Sequence, residues 1–193
     1  MQREARAAVH KGSNVRSRPT GENGTLPVVT GLAMAEFIPV VHQTTLTFTG
    51  VVIVTTDSTT AFGTLEIFDF PEGRIVPVAA AVNLALVAGA GGIADDAAIV
   101  GSLGSAAATQ GATLTGTEAD IVASTACTLA AGLGNFQTGT STPAVAAAGA
   151  IDGTATASKC FLNFAIPDAG TSAADTLTIT GTINLFWLLA GDD

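Results

Sequence analysis

Tyrosine is absent from this chain, tryptophan occurs once, and histidine and cysteine occur twice each among 193 residues. Surfaces that grip sugars or stack nucleobases lean on exposed Tyr and Trp, so a lectin or a single-strand binder is disfavoured. Of the histidines, His10 lies near the start and His42 follows Pro39. A Ser, His and Asp set would have to use His42, and no sequence elbow marks its nucleophile, so His42 reads as a strand-edge residue. Cys127 and Cys160 fit no metal or redox spacing and read as reduced, buried thiols. Cys127 has no neighbouring base in sequence to activate it.

Positive charge is also scarce, and it is confined. Arg3, Arg6, Lys11, Arg16 and Arg18 stand against Glu4 in residues 1–18, a net of +4, while the other 175 residues hold Arg74 and Lys159 against 15 acids, a net of −13. Phosphate recognition draws on clustered Lys and Arg, so the acidic body is not expected to bind nucleic acid directly. Long apolar runs are missing as well. The charged start MQREARAAVHKG has no apolar stretch after it and does not read as a secretory signal. Residues 75–94 are uncharged, yet Pro77, Asn83, Gly89, Gly91 and Gly92 interrupt them, which argues against a membrane helix and a membrane partner.

What the chain has in abundance is small residues: 36 Ala, 28 Thr and 22 Gly, beside 56 larger apolar side chains that suffice for one core. Residues 1–25 carry almost none of the large apolar side chains needed to offset the entropy of folding, and read as an extended basic N-terminal arm. Residues 26–193 read as one all-β domain, a β-sandwich or barrel, from strand-like segments separated by Gly, Pro, Asp and Ser. In the segment Thr176–Leu189, Leu177, Ile179, Ile183, Leu185, Trp187 and Leu189 alternate with Thr178, Thr180, Thr182 and Asn184, the period of a half-buried strand.

Strands are also expected at Thr44–Thr56, Thr64–Phe70, Ile75–Val87, Ala97–Leu103 and Ser158–Ile166, with a turn at Pro71–Arg74 and very little helix. The Ala-rich pieces at 105–108 and 144–150 read as tight-packing strand or loop. Two strand ends are apolar on both faces: Val51, Val52, Ile53 and Val54, and Phe186, Trp187 and Leu188. Such ends need cover from another sheet, from the arm or from a neighbouring subunit, which makes these seven residues candidates for an oligomer interface.

Two patterns touch on ligand chemistry. Gly89–Ala94 satisfies G-x-G-x-x-A after a strand-like run, but a dinucleotide site needs that turn to open a helix with an acid about 20 residues on. Asp95 and Asp96 instead follow at once, so a hairpin loop is expected. The acid groups Asp95 and Asp96, Glu118 and Asp120, and Asp192 and Asp193 offer oxygens of the kind calcium takes. None has a recognised loop pattern, and solvated loop tips are expected, with no catalytic residue, cofactor or metal.

Asp69–Ile75 (DFPEGRI), Leu114–Asp120 (LTGTEAD), Asp152–Ala169 (DGTATASKCFLNFAIPDA) and Thr176–Asp193 (TLTITGTINLFWLLAGDD) together resemble structural proteins of tailed bacteriophage virions. The resemblance is in particular to jelly-roll cement or decoration proteins of the capsid exterior. It implies a two-sheet jelly roll that clamps adjacent capsid subunits, has no enzyme activity, and works as a homotrimer or a dimer against the major capsid protein. Its place would be the outside of the virion capsid after synthesis in the host cytoplasm. On this reading Arg3, Arg6, Lys11, Arg16 and Arg18 tether the arm to an acidic partner, gaining order only on binding. Another phage component, such as a major shell, tail or fibre protein, is the alternative, and a nucleotide or small-ligand binder comes third.

Overall fold

Thr, Val, Ile and Phe in period-two patterns favour the pleated, half-buried backbone of strands, and strands dominate the structure. The computed structural model describes residues 41–56, 60–89, 92–94, 97–109, 113–141, 150–166 and 175–191, all within the unit Pro39–Asp193. The arm boundary expected after residue 25 lies outside the described residues. In chain order the strands are β1 (His42–Val54), β2 (Ala61–Asp69), β3 (Gly73–Ala88), β4 (Val100–Gly104), β5 (Val122–Ala126), β6 (Leu133–Ser141), β7 (Ile151–Gly153), β8 (Lys159–Ile166) and β9 (Thr176–Leu189). The one helical element among the described residues is a 3-10 turn at Gly116–Glu118.

Two antiparallel sheets pack face to face. The first runs β1-β9-β3-β6, with β7 pairing the start of β3, and the second runs β2-β8-β4-β5. Leaving β7 aside, the chain makes four nested antiparallel pairs, β1 with β9, β2 with β8, β3 with β6 and β4 with β5. A long hairpin of this kind, rolled so that β9 also pairs β3 and β8 also pairs β4, is the winding of a jelly roll. The expected all-β sandwich is therefore present, and six of its strands fall where the alternation places them. The uncharged run beginning at Ile75 is a strand, β3, and no helix of the described residues is long and apolar enough to cross a membrane.

The core lies between the sheets. Ile179, Ile183 and Leu185 of β9 and Leu84 and Leu86 of β3 face Leu162, Phe164 and Ile166 of β8 and Leu103 of β4, all buried. Phe136 of β6 meets Phe164 edge to face with ring centroids 6.0 Å apart. At one end of the sandwich Trp187 packs edge-on against Phe70, 5.6 Å between centroids, and His42 stacks over its other side at 4.3 Å.

One irregularity decides which way β1 faces. Between Phe48 and Val51 the register against β9 slips at a β-bulge, where Gly50 takes φ +63 and its N–H donates to the Thr180 hydroxyl at 3.1 Å. A one-residue shift exchanges the two faces of a strand. Ile53 consequently enters the core and Val51 packs against it, while Val52 and Val54 point outward.

Candidate assembly surface

The seven interface candidates separate once the strand faces are known. Ile53 and Trp187 belong to the core of the same subunit, with Val51 packed on it, so these three side chains are committed internally and do not present themselves to a neighbour. Trp187 is further held by its indole N–H, which donates to the Thr44 hydroxyl at 3.1 Å. Val52, Val54, Phe186 and Leu188 lie on the outer face of the first sheet. Val52 and Val54 are 52% and 55% exposed, and Phe186 and Leu188 are half-buried. Eight residues of β9 separate Thr178 from Phe186, about 27 Å along an extended strand, so the two pairs mark opposite ends of one face.

Pairing shows a second feature of that face. Val52 is opposite Thr178, Thr178 is opposite Val87, and Val87 is opposite Leu133. These four residues form a single row across all four strands, and its outermost and inner apolar members, Val52, Val87 and Leu133, are 52%, 43% and 58% exposed. Val54 extends the row on the β1 side. Covering these four half-exposed side chains would gain roughly 3–5 kcal/mol in apolar transfer. Next to the row come Thr180, Ala85 and Asn135, then Thr47, Thr182, Asn83 and Gln137, with Asn83 accepting from the Gln137 amide at 2.9 Å.

No charged side chain stands on β1, β6 or β9, or on β3 beyond Arg74. Arg74 lies at the far corner, paired in register with Asp152 of β7. The uncharged outer face thus spans four strands of a body that carries a net charge of −13 over residues 19–193.

The outer face of the second sheet is built differently. Residues 105–109 and 113–121 fold over it, and Ala108, Leu114 and Ala119 pack on Ala165. Asn163, on the outer side of β8, is fully buried beneath them. Its Oδ1 accepts from the Thr64 hydroxyl at 2.7 Å and the Ala108 N–H at 2.9 Å, and its Nδ2 donates to the carbonyls of Ala106 and Glu118 at 3.0 and 2.9 Å. All four hydrogen-bonding positions of the amide are used.

Ser102 donates to the Glu118 carbonyl at 2.7 Å, and the Ser105 N–H and hydroxyl donate to the Asp120 carboxylate at 2.8 and 2.6 Å. Burial of Asp120 raises its pKa, against the lowering effect of the Ser105 bonds. The Glu118 carboxylate accepts the Thr109 and Thr115 N–H groups at 3.2 and 3.4 Å. The carboxylates of Glu118 and Asp120 therefore serve as anchors of the loop.

The remaining candidates are placed as follows. Burial pushes the Cys127 thiol up to about 12 and raises Cys160 further, with the Asp120 charge adding to the latter. Thiols held protonated in this way are poor nucleophiles. Among the described residues the stretch after β3 leads through residues 97–99 into β4 and forms no helix. A side chain at Gly92 would overlap the Asp175 carboxylate, so an acid is packed directly against this glycine.

Lys159 pairs with Glu66 at 2.6 Å and lies 3.8 Å from Asp69 on the rim of the second sheet. Among the described residues no group of three His, Cys, Asp or Glu side chains is arranged to hold a metal ion. Arg3, Arg6, Lys11, Arg16, Arg18, Asp95, Asp96, Asp192 and Asp193 lie outside the described residues.

Sequence reasoning missed Val87 and Leu133. Val87 sits in a run that is apolar almost throughout, and Leu133 sits between Gly132 and Gly134, which read as loop punctuation. Comparison with protein-family models, with curated proteins and with solved structures finds no match to this chain.

Proposed function

We propose that this chain is a non-enzymatic structural subunit of a tailed-bacteriophage virion, a cement protein that binds the major capsid protein on the capsid exterior and bridges neighbouring capsid subunits. The observation that carries the proposal is the outer face of the first sheet: four strands wide, uncharged, crossed by an exposed apolar row, and set on an otherwise acidic jelly roll. A large apolar-striped face on a rigid body is what an assembly subunit presents. The jelly roll is a fold used by capsid proteins among others, which agrees with the proposal by analogy alone. The sequence resemblance over residues 69–193 points the same way, and the basic residues Arg3, Arg6, Lys11, Arg16 and Arg18 supply a tether of opposite charge to an acidic partner.

Imaging of intact particles with this protein labelled tests the location. Label on the outer shell is the expected result, and label in the tail or no label on particles overturns the cement role. Deleting residues 2–18 is expected to leave folding and self-association intact and to weaken shell binding. Equal decoration by the truncated and full-length proteins would remove the tether from the proposal. Spontaneous growth of purified protein into tubes or closed shells would favour the alternative of a shell or tail component.

A further inference from the structure

We propose that the outer face of the first sheet is the docking surface for a second copy of this chain, sheet against sheet about a two-fold axis, with Val52, Thr178, Val87 and Leu133 as the apolar row at one end of the contact. The inference rests on reading the chain as a self-associating structural subunit and goes beyond it by naming the surface, the occupant and the symmetry. Charge selects the occupant. Two bodies of net charge −13 repel wherever their acids meet, whereas the strands of this face bring no charge of either sign to the contact beyond the Arg74 and Asp152 corner. A basic partner gains nothing from such a face and is drawn to the acids elsewhere.

Area is also sufficient. Four strands spaced about 4.8 Å apart and about ten residues long at about 3.4 Å each give roughly 650 Å² of face, close to the roughly 800 Å² per partner of a standard interface. Shape and chemistry agree with this. Around the row the side chains are Thr, Val, Ala, Leu, Asn and Gln, with Phe186 and Leu188 at the opposite end, sizes at which two sheets stack at sandwich spacing. The rows of hydroxyls and amides at Thr180, Thr182, Asn83 and Gln137 can pair with the same groups related by a two-fold axis.

Sedimentation of the full chain tests the proposal. Wild type is expected to be a dimer. Val87→Lys and Leu133→Lys place charge in the apolar row of the contact and are expected to weaken association more than about tenfold, while Glu72→Lys, on an exposed loop, leaves it unchanged. Val87→Thr, which adds no charge, is expected to weaken the dimer to a smaller degree and keeps the test valid if a Lys variant folds poorly. Val87 stands two strands in from β1, so a dimer formed by pairing β1 edges would survive Val87→Lys. A wild-type monomer, a trimer, or a dimer indifferent to Val87→Lys overturns the proposal. A monomer that still decorates shells would overturn this inference and leave the cement role standing. A dimer that binds no shell would do the reverse.

Discussion

On the second sheet Asn163 and Ala165 point away from the core and are nonetheless fully buried, whereas on the first sheet Val52, Val54, Val87 and Leu133 point away from the core and remain about half exposed. The polar residue is inside and the apolar ones are outside, the reverse of what hydrophobicity alone would assign. The difference lies in what each face has been given as cover. Residues 105–121 cross the second sheet and bring backbone groups to an amide that can satisfy them, which makes burial of Asn163 affordable. The first sheet receives no such cover from the described residues, and its apolar row stays exposed.

That contrast can be broken most strongly at Asn163. Asn163→Ala strands the Ala108 N–H and the Ala106 carbonyl beneath the loop, and is expected to cost roughly 2–4 kcal/mol in denaturant unfolding. Gly104→Ala comes next. A Cβ there would run into the Thr117 and Glu118 backbone, so the loop must lift off β4. A loss of about 1–3 kcal/mol is expected, with faster amide exchange of the Ile121 N–H, which donates to the Leu103 carbonyl at 3.1 Å.

Asp120→Asn should change a slope more than a magnitude. Burial raises the folded-state pKa of Asp120 above the ordinary 3.8, so the folded protein holds a proton that the unfolded chain has released. Its contribution to stability is fully present below 3.8 and is lost as pH rises through the folded value. Asparagine keeps an acceptor and a donor for Ser105 without titrating. Unfolding measured between about pH 3 and pH 7 is therefore expected to show the variant gaining on wild type as pH rises. A constant difference across that range would mean that Asp120 does not titrate with folding.

Least affected is the first sheet's outer face, where Val52→Thr is expected to shift monomer stability by less than about 0.5 kcal/mol. A loss above about 2 kcal/mol in a monomeric sample would mean that Val52 is covered within the subunit, and the contrast between the two faces would fail.

Much of the sandwich was legible because large apolar residues alternate where a strand has one wet face. Cys160, Leu162, Phe164 and Ile166 read as inward and are fully buried. Strands β5, β6 and β7 were not legible. In β6 (LGNFQTGTS) the only large apolar residues are Leu133 and Phe136, three apart, so one points outward and the other inward and no alternation is visible. The candidate surface was half legible. Val52, Val54, Phe186 and Leu188 stood out as apolar residues needing cover, but so did Trp187, and Val51 and Ile53 stood out equally because the bulge at Gly50 that sorts β1 depends on pairing with Gly181 and Ile179 of β9, 130 residues away in the case of the Gly50 to Thr180 bond.

Sequence by itself determined the strand-rich class, the inward faces of β8 and β9, the turn between β2 and β3, and the separation of a cationic start from an acidic body, because each follows from local spacing and composition. Tertiary structure decided the strand order, the facing of β1 after its bulge, the burial of Asn163, and the alignment of Val52, Thr178, Val87 and Leu133 into one row. Each of these depends on register between strands far apart in the chain, and a period of two leaves both the partner and the register open.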